Sequence, residues 1–202
     1  HTLDYNYTDI ATGCSYAANI NITVTEQPSA AFTTNATTIC IGESITFTPS
    51  GNIAGGNGTW DFGGLGSANA TSEQSFTFNE AGNFIISFTV DNNGCTDTQT
   101  QAVEVSGVTV KTIDDTQILA GTTLELTTQA TSALNGTLSF AWTDAMQLIT
   151  DLTMQSPSIT SNEAGEFLFT ITATDQYGCS ATDEVTVKVI KENKVIAPNA
   201  FT

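Results

Sequence analysis

Carboxylate groups are the most numerous ionisable side chains in this sequence. The 202 residues include 21 Asp and Glu against four Lys and Arg, which gives a net charge of −17 at pH 7. Calcium is held by clustered oxygen ligands, and the strand-end residues that come closest to such a set are Asp91, Asp114 and Asp115. No Asp-x-Asp-x-Asp loop occurs. The sequence therefore predicts no cofactor, and a solvated acidic surface is the simpler explanation of the charge.

The sequence has too few imidazole groups for histidine-dependent catalysis or metal binding, and too few basic groups for nucleic-acid binding. The only histidine is His1, so a catalytic triad lacks its base and a multi-histidine metal centre lacks its ligands. Without arginine, a surface that neutralises phosphate groups cannot be assembled, and nucleic-acid binding is excluded. No run of about 18 apolar residues occurs that would span a membrane. We therefore expect a protein that is not an enzyme and has no membrane span. The basic residues are Lys111, Lys188, Lys191 and Lys194.

The sequence contains an internal repeat of about 83 residues. Residues 79–84 (Asn-Glu-Ala-Gly-Asn-Phe) recur at 162–167 as Asn-Glu-Ala-Gly-Glu-Phe, and each copy is followed by an alternating run and a Gly-Cys pair, at 94–95 and at 178–179. A third Gly-Cys pair lies at 13–14, with the same interval to a later valine. We therefore expect two complete repeats, preceded by the last part of another.

Apolar residues alternate with polar ones along these runs, which is the period of a half-buried strand and not of a helix. Short strands separated by Gly, Asn and Ser clusters predict an all-β fold of tandem antiparallel β-sandwiches. Each repeat has one tryptophan in a short apolar strand, Trp60 or Trp142, and we expect both in the core between two sheets. One alternating run contains Phe84, Ile86, Phe88 and Val90.

Several of these motifs together resemble the polycystic kidney disease (PKD) domain, an immunoglobulin-like β-sandwich. Residues 59–66 (Thr-Trp-Asp-Phe-Gly-Gly-Leu-Gly) are similar to its Trp-Asp-Phe-Gly-Asp-Gly signature, and residues 81–84 (Ala-Gly-Asn-Phe) are similar to its Pro-Gly-Thr-Tyr turn. Gly64 and Leu65 stand where the family has an Asp, so any role of that Asp is not carried over.

The resemblance implies a division of the chain into domains. It predicts a PKD-like domain over 29–106 and a second, divergent one over 107–190, similar to the PKD-like repeats of large Bacteroidetes surface proteins. Residues 1–28 are then the C-terminal hairpin of a truncated repeat, and residues 191–202 are a linker and the start of a sorting domain. An isolated two-stranded hairpin is at best marginally stable in water. We therefore expect further strands upstream.

The C-terminal residues 195–202 (Val-Ile-Ala-Pro-Asn-Ala-Phe-Thr) resemble the opening of the gliding motility-associated C-terminal domain. That domain serves as a type B signal for the type IX secretion system. The resemblance implies that the secretion machinery is a partner and that the protein is displayed, outer-membrane-associated, at the cell surface.

The four cysteines lie one to a predicted strand, without a Cys-x-x-Cys pair, so no metal site is predicted. Cys40 and Cys95 lie at strand ends that a sandwich can bring together, and we expect a disulfide between them, which would indicate an oxidising compartment. In the second repeat Leu119 takes the place of Cys40. Cys179 is therefore predicted to be a free, buried thiol, and Cys14 to lack its partner.

These observations predict a non-catalytic stalk near the C-terminus of a large secreted adhesin used in gliding or attachment. Distal regions would bind a surface polysaccharide or another cell-surface ligand. The alternative is an accessory module of a secreted polysaccharide- or protein-degrading enzyme, which a catalytic domain upstream would favour. A carbohydrate-binding module would need exposed aromatic side chains, for which the candidates are Tyr5, Tyr7, Tyr16 and Tyr177.

Overall fold

A computed structural model describes residues 1–53 and 55–192. All regular secondary structure in these residues is β-strand. No helix in this part of the chain has the length and hydropathy needed to cross a membrane. The strands up to residue 106 are β1 (Thr2–Thr8), β2 (Ser15–Asn21), β3 (Phe32–Thr34), β4 (Thr38–Cys40), β5 (Ser44–Pro49), β6 (Asn57–Phe62), β7 (Ser67–Asn69), β8 (Gln74–Thr77), β9 (Gly82–Asn92) and β10 (Cys95–Ser106).

The strands of the second repeat follow directly. They are β11 (Val108–Lys111), β12 (Thr116–Leu119), β13 (Thr123–Glu125), β14 (Gln129–Ser132), β15 (Leu138–Asp144), β16 (Ser158–Thr160), β17 (Gly165–Asp175) and β18 (Ser180–Ile190).

Each repeat divides its strands among separate sheets. The first has a five-stranded sheet of order β4-β10-β9-β6-β7 and a three-stranded sheet of order β3-β5-β8. The second has a four-stranded sheet of order β12-β18-β17-β15 and two strand pairs, β11-β14 and β13-β16. The prediction of an all-β fold made of tandem antiparallel β-sandwiches is confirmed.

The same strand register occurs at the same place in both repeats. β4 runs parallel to β10, with Cys40 opposite Ser106, and β12 runs parallel to β18, with Leu119 opposite Ile190. These short strands are the only parallel pairings described for the two main sheets. Leu119 therefore occupies the structural position of Cys40, as the sequence alignment of the repeats indicates.

The described chain folds into two compact units, of which the first comprises His1–Asn35, Thr46–Ser75 and Ile85–Ala102. Its core is aromatic. Trp60 is fully buried, and its indole stacks on the ring of Phe88 with centroids 4.2 Å apart. Phe32 meets the indole edge-on at 5.0 Å. Aromatic pairs in these geometries contribute about 0.5–1.5 kcal/mol beyond the burial of their area.

The second unit comprises Ala36–Ile45, Phe76–Phe84 and the chain from Val103 onward. Trp142 is 3% exposed in its core, and its indole N–H donates to the backbone oxygen of Met154 at 2.9 Å. Residues facing inward from β17 and β18 form a large part of this core because alternate side chains of a strand point to the same face. They are Phe167, Phe169, Ile171, Val185, Val187 and Val189.

The alternation along β17 can be tested with two neighbouring substitutions. Phe169→Ala removes a fully buried ring, so we expect it to lower the free energy of unfolding by about 3–5 kcal/mol. Leu168→Ala removes a side chain from a residue that is 54% exposed, so we expect a change within about 0.5 kcal/mol. Denaturant unfolding followed by circular dichroism measures both. Equal losses would show that β17 does not separate a buried face from an exposed one.

Candidate functional site

A disulfide bridge joins the two repeats inside the second compact unit. It links Cys40, in the edge strand β4 of the first repeat, to Cys179, just before β18 in the second repeat, with Cα atoms 5.5 Å apart. Cys179 is 3% exposed. The other two cysteines are free thiols: Cys14 is exposed and Cys95 is partly buried.

The predicted Cys40–Cys95 bridge was therefore wrong, and so was the prediction of a free thiol at Cys179. Strand register is the reason. Cys40 lies opposite Ser106, the last residue of the 12-residue strand β10, whereas Cys95 is the first residue of that strand. A strand of this length separates its ends by roughly 36 Å, and a disulfide needs Cα atoms within about 7 Å of each other.

Asp175 is the residue that holds Cys179 in this position. Its carboxylate is 5% exposed and accepts hydrogen bonds on both oxygens. Oδ1 accepts from the backbone N–H groups of Tyr177 and Cys179, each at 3.0 Å. Oδ2 accepts from the hydroxyl groups of Ser106 at 2.6 Å and Ser132 at 3.1 Å. One carboxylate thus connects the β17–β18 turn to the ends of β10 and β14.

The surroundings of Asp175 also set its ionisation. Burial of the carboxyl group acts to raise its pKa, and it is the largest single effect. The hydrogen bonds from Ser106, from the backbone of Cys179 and Tyr177, and from Ser132 together outweigh it, so the pKa of Asp175 lies below its ordinary value of 3.8. The group is therefore a buried carboxylate at neutral pH whose charge is balanced by donors rather than by a cation.

The backbone where one repeat passes into the next fits closely against β4. The N–H of Ile41 donates to the backbone oxygen of Ser106 at 2.8 Å. A Cβ atom on Gly107 would collide with the side chain of Ile41, so this position accommodates glycine. The backbone oxygen of Gly107 in turn accepts from the N–H of Ala133 at 2.8 Å. Covalent, hydrogen-bond and steric contacts therefore coincide around Ser106, and we call the set Cys40, Ser106, Ser132, Asp175 and Cys179 the repeat clasp.

Sequence analysis assigned no role to Asp175. The signal that could have singled it out is its spacing, since an Asp lies four residues before the cysteine in both complete repeats, at Asp91 and Asp175. Asp91 accepts from the backbone N–H of Gly94, at 2.8 Å, within its own turn. Both aspartates therefore accept from backbone N–H groups of their own turn. Of the two, Asp175 also accepts from serine hydroxyl groups of other strands.

The acidic residues considered as calcium ligands have other partners. Asp114 lies 3.1 Å from the ammonium group of Lys111, and Asp115 accepts from the backbone N–H of Thr186 at 2.7 Å. Asp91 holds its turn, as described above. In the described part of the chain, no three His, Cys, Asp or Glu side chains are grouped so that they could hold a metal ion. These carboxylates thus accept from backbone N–H groups, near or far along the chain, or take part in an exposed ion pair.

Two further aspartates fasten the first segment of each repeat. Asp97 in β10 accepts from the backbone N–H of Ala30 at 2.8 Å, and Asp183 in β18 accepts from that of Thr112 at the same distance. Neither aspartate was assigned a partner from the sequence. Each bond spans most of a repeat, so it fixes the start of the repeat to its last strand.

Comparison with known proteins supports the fold. No family model matches the chain, and no curated protein matches it in sequence. Among solved structures, the insect immune protein hemolin is similar over 94% of this chain and 56% of its own, with 12% identity and a TM-score of 0.50. The fold is a tandem of immunoglobulin-like β-sandwiches.

Other similar structures include single PKD domains. The PKD1 domain of the Vibrio cholerae metalloprotease PrtV has 24% identity and a TM-score of 0.33, and the match covers 40% of this chain and 98% of that domain. Three N-terminal domains of the bacteriophage RB49 outer capsid protein Hoc match 80% of this chain and 59% of their own, with 12% identity and a TM-score of 0.41. The chain thus spans a little over half the length of the Hoc and hemolin structures.

Removing the Asp175 carboxylate tests the repeat clasp. Asp175→Ala leaves two backbone N–H groups and two hydroxyl groups without their acceptor, so we expect a loss of about 2–4 kcal/mol in the second unit at pH 7. Asp114→Ala, whose side chain is 91% exposed, is the matched control and should change stability by less than about 0.5 kcal/mol. Hydrogen exchange of the β17 and β18 amides measures both.

The same variant should change the acid dependence of stability. Because the folded pKa of Asp175 is lower than its ordinary value of 3.8, its contribution is complete above that value and is lost as pH falls through the folded pKa. Asp175→Ala should therefore lose less stability than the unmodified chain between neutral pH and the acid limit. Parallel acid profiles for the two proteins would contradict the assignment.

Proposed function

We propose that the repeats form a non-catalytic stalk or spacer of a large secreted adhesin, displayed at the cell surface and used in gliding or attachment. The observation that carries this proposal is the Cys40–Cys179 bridge between successive repeats. Disulfides persist in oxidising environments, which supports an extracellular or cell-surface location. A bridge between repeats also limits their separation, which is useful in a spacer and unnecessary in independent domains.

The bridge closes a long loop, since its cysteines are 139 positions apart. In the chain-entropy model a loop of this length stabilises the folded chain by about 5 kcal/mol. That contribution is comparable to the total stability of a small domain. This stabilisation applies to both repeats together, because the closed loop runs through both of them.

Two open depressions described on the surface support a non-catalytic role. One, of about 460 Å³, is lined by residues 56–59 and 69–71 and contains no titratable side chain. The other, of about 450 Å³, is lined by Lys111, Asp114, Asp115 and Glu184 and contains the exposed Lys111–Asp114 ion pair. Enzyme sites commonly combine an enclosed pocket with polar groups converging on it. Both depressions are open to solvent.

The surface composition suits an extended array. The net charge of −17 keeps neighbouring chains apart at low ionic strength and favours solubility. The ion pairs of the second unit join exposed side chains, such as Lys188 with Glu166 and Lys191 with Glu163, and pairs of this kind contribute little to stability. The surface charge therefore favours solubility, whereas the buried cores and the repeat clasp contribute to the stability of the fold.

Export follows from the C-terminal resemblance. Residues 195–202 lie outside the described residues, so this part of the proposal rests on the sequence alone. Their similarity to the start of a gliding motility-associated C-terminal domain supports export by the type IX secretion system, with the secretion machinery as partner. The cell-surface ligand, a polysaccharide or another surface molecule, would be bound by distal regions of the full-length protein.

The N-terminal hairpin supports the presence of another repeat. β1 and β2 pair antiparallel, with Leu3 opposite Ile20 and Tyr5 opposite Ala18. Leu3 and Tyr5 are 59% and 60% exposed, whereas residues of the corresponding hairpin β17–β18 are buried against their own sandwich. We propose that the apolar face of the β1–β2 hairpin packs against strands of its own repeat that precede His1.

Hydrogen exchange tests this proposal for the hairpin. In the 202-residue chain we expect the β1 and β2 amides to exchange quickly, because a two-stranded hairpin is marginal in water. In the full-length protein they should exchange at least a hundredfold more slowly. Fast exchange in both proteins would contradict the proposal. If slow exchange in the short chain is accompanied by dimer formation that Tyr5→Lys abolishes, the face is covered by a second copy instead.

Deleting the region after Thr202 from the full-length protein tests the proposed export route. We expect the repeats to fold but to remain inside the cell, which protease treatment and antibody labelling of intact cells would show. A deletion that removes one complete repeat is the control and should leave display unchanged. Normal surface display without the C-terminal region would overturn the secretion assignment.

A further inference from the structure

We infer that the Cys40–Cys179 bridge is a covalent bypass that keeps tension out of most of both repeats. The inference rests on the proposed function, because only a stalk is pulled at its two ends. In the oxidised chain a force applied at the ends passes along the backbone to Cys40, across the disulfide to Cys179, and onward to the C-terminus. The backbone between the two cysteines forms a closed loop beside this path and cannot be extended.

The loop contains almost all of the core-forming strands. β5 to β17 lie entirely between the two cysteines, including the strands that contain Trp60 and Trp142. Tension on these strands is carried instead by the sulfur–sulfur bond, whereas β3 and β18, which also contribute core side chains, lie outside the loop. A folded domain is only marginally stable, whereas the covalent bond does not open under the tension that would unfold it.

The strands next to the bridge on either side pair with strands of the loop. On the C-terminal side, β18 begins directly after Cys179 and pairs antiparallel with β17 and parallel with β12. Tension along β18 is carried by its own extended backbone, because the strands it pairs with belong to the loop. On the N-terminal side, β4 ends at Cys40 and pairs with the last residues of β10. The bridge thus anchors the outer strands at the point where the loop closes.

The clasp residues also protect the bridge. Cys179 is buried, and its N–H is fixed by Asp175, whose other oxygen accepts from Ser106 opposite Cys40. The two cysteines are therefore held close together by hydrogen bonds that do not depend on the sulfur atoms. This arrangement favours formation of the Cys40–Cys179 pair over pairs with Cys14 or Cys95.

Single-molecule stretching of the 202-residue chain between terminal peptide tags tests the bypass. A fully extended chain spans about 3.5 Å per residue, so the maximum extension is about 700 Å without a bridge and about 220 Å with the Cys40–Cys179 bridge. We expect the oxidised protein to give the shorter value and a thiol reductant to increase it about threefold, since each disulfide is reduced to two thiols. A bridge between Cys40 and Cys95 would instead give about 510 Å.

Matched variants make the result specific. The double variant Cys14→Ser, Cys95→Ser removes the free thiols and should keep the short extension, whereas Cys40→Ser should extend fully with or without reductant. Maximum extension depends on covalent connectivity, so a variant that folds poorly still gives a reading. Full extension of the oxidised protein, or the value for the Cys95 bridge, would overturn the inference. A failure of surface display in the export experiment would leave this measurement unchanged, so the two proposals fail separately.

Discussion

The repeat clasp depends on one buried carboxylate. Asp175 would be costly to bury as an isolated charge, because the interior of a protein solvates an ion poorly. Four hydrogen-bond donors offset this cost of burial. They belong to the β17–β18 turn, to β10 and to β14. The turn donors give Cys179 its position, and the Ser106 hydroxyl brings that turn to the residue opposite Cys40. Satisfying one charge therefore fixes the geometry that the disulfide requires.

Much of the fold can be predicted from the sequence because strand formation is a local pattern. Alternation in the run through Phe88 indicates β9, and the recurrence of the Gly-Cys pair indicates a repeated hairpin. Gly94 and Gly178 have φ values of 88° and 89°, a conformation that glycine adopts at little cost, which is why the pair marks a turn. Tryptophans in short apolar strands are buried for the same local reason, and Trp60 and Trp142 both lie in cores.

The disulfide could not be predicted in this way because it depends on register between strands far apart in sequence. Nothing near Cys40 indicates that β4 runs parallel to the far end of β10 rather than close to its start. The burial of Asp175 is hidden for a related reason. Asp91 has the same local sequence position and caps its turn in the same manner, and the two differ only in what lies beside them in the folded chain.

The bridge joins two positions that are not equivalent in the repeat: an edge strand in one copy and a turn in the next. Contacts between different surfaces of like units are heterologous, and unlike a pairing within one repeat they can propagate along an array. The sequence determines where such propagation stops. The edge-strand position holds a thiol at Cys40 and an alkyl side chain at Leu119, so the second repeat can receive a bridge at Cys179 but cannot pass one on through β12. Register is the same at both places, and a single side chain decides whether a covalent link can form.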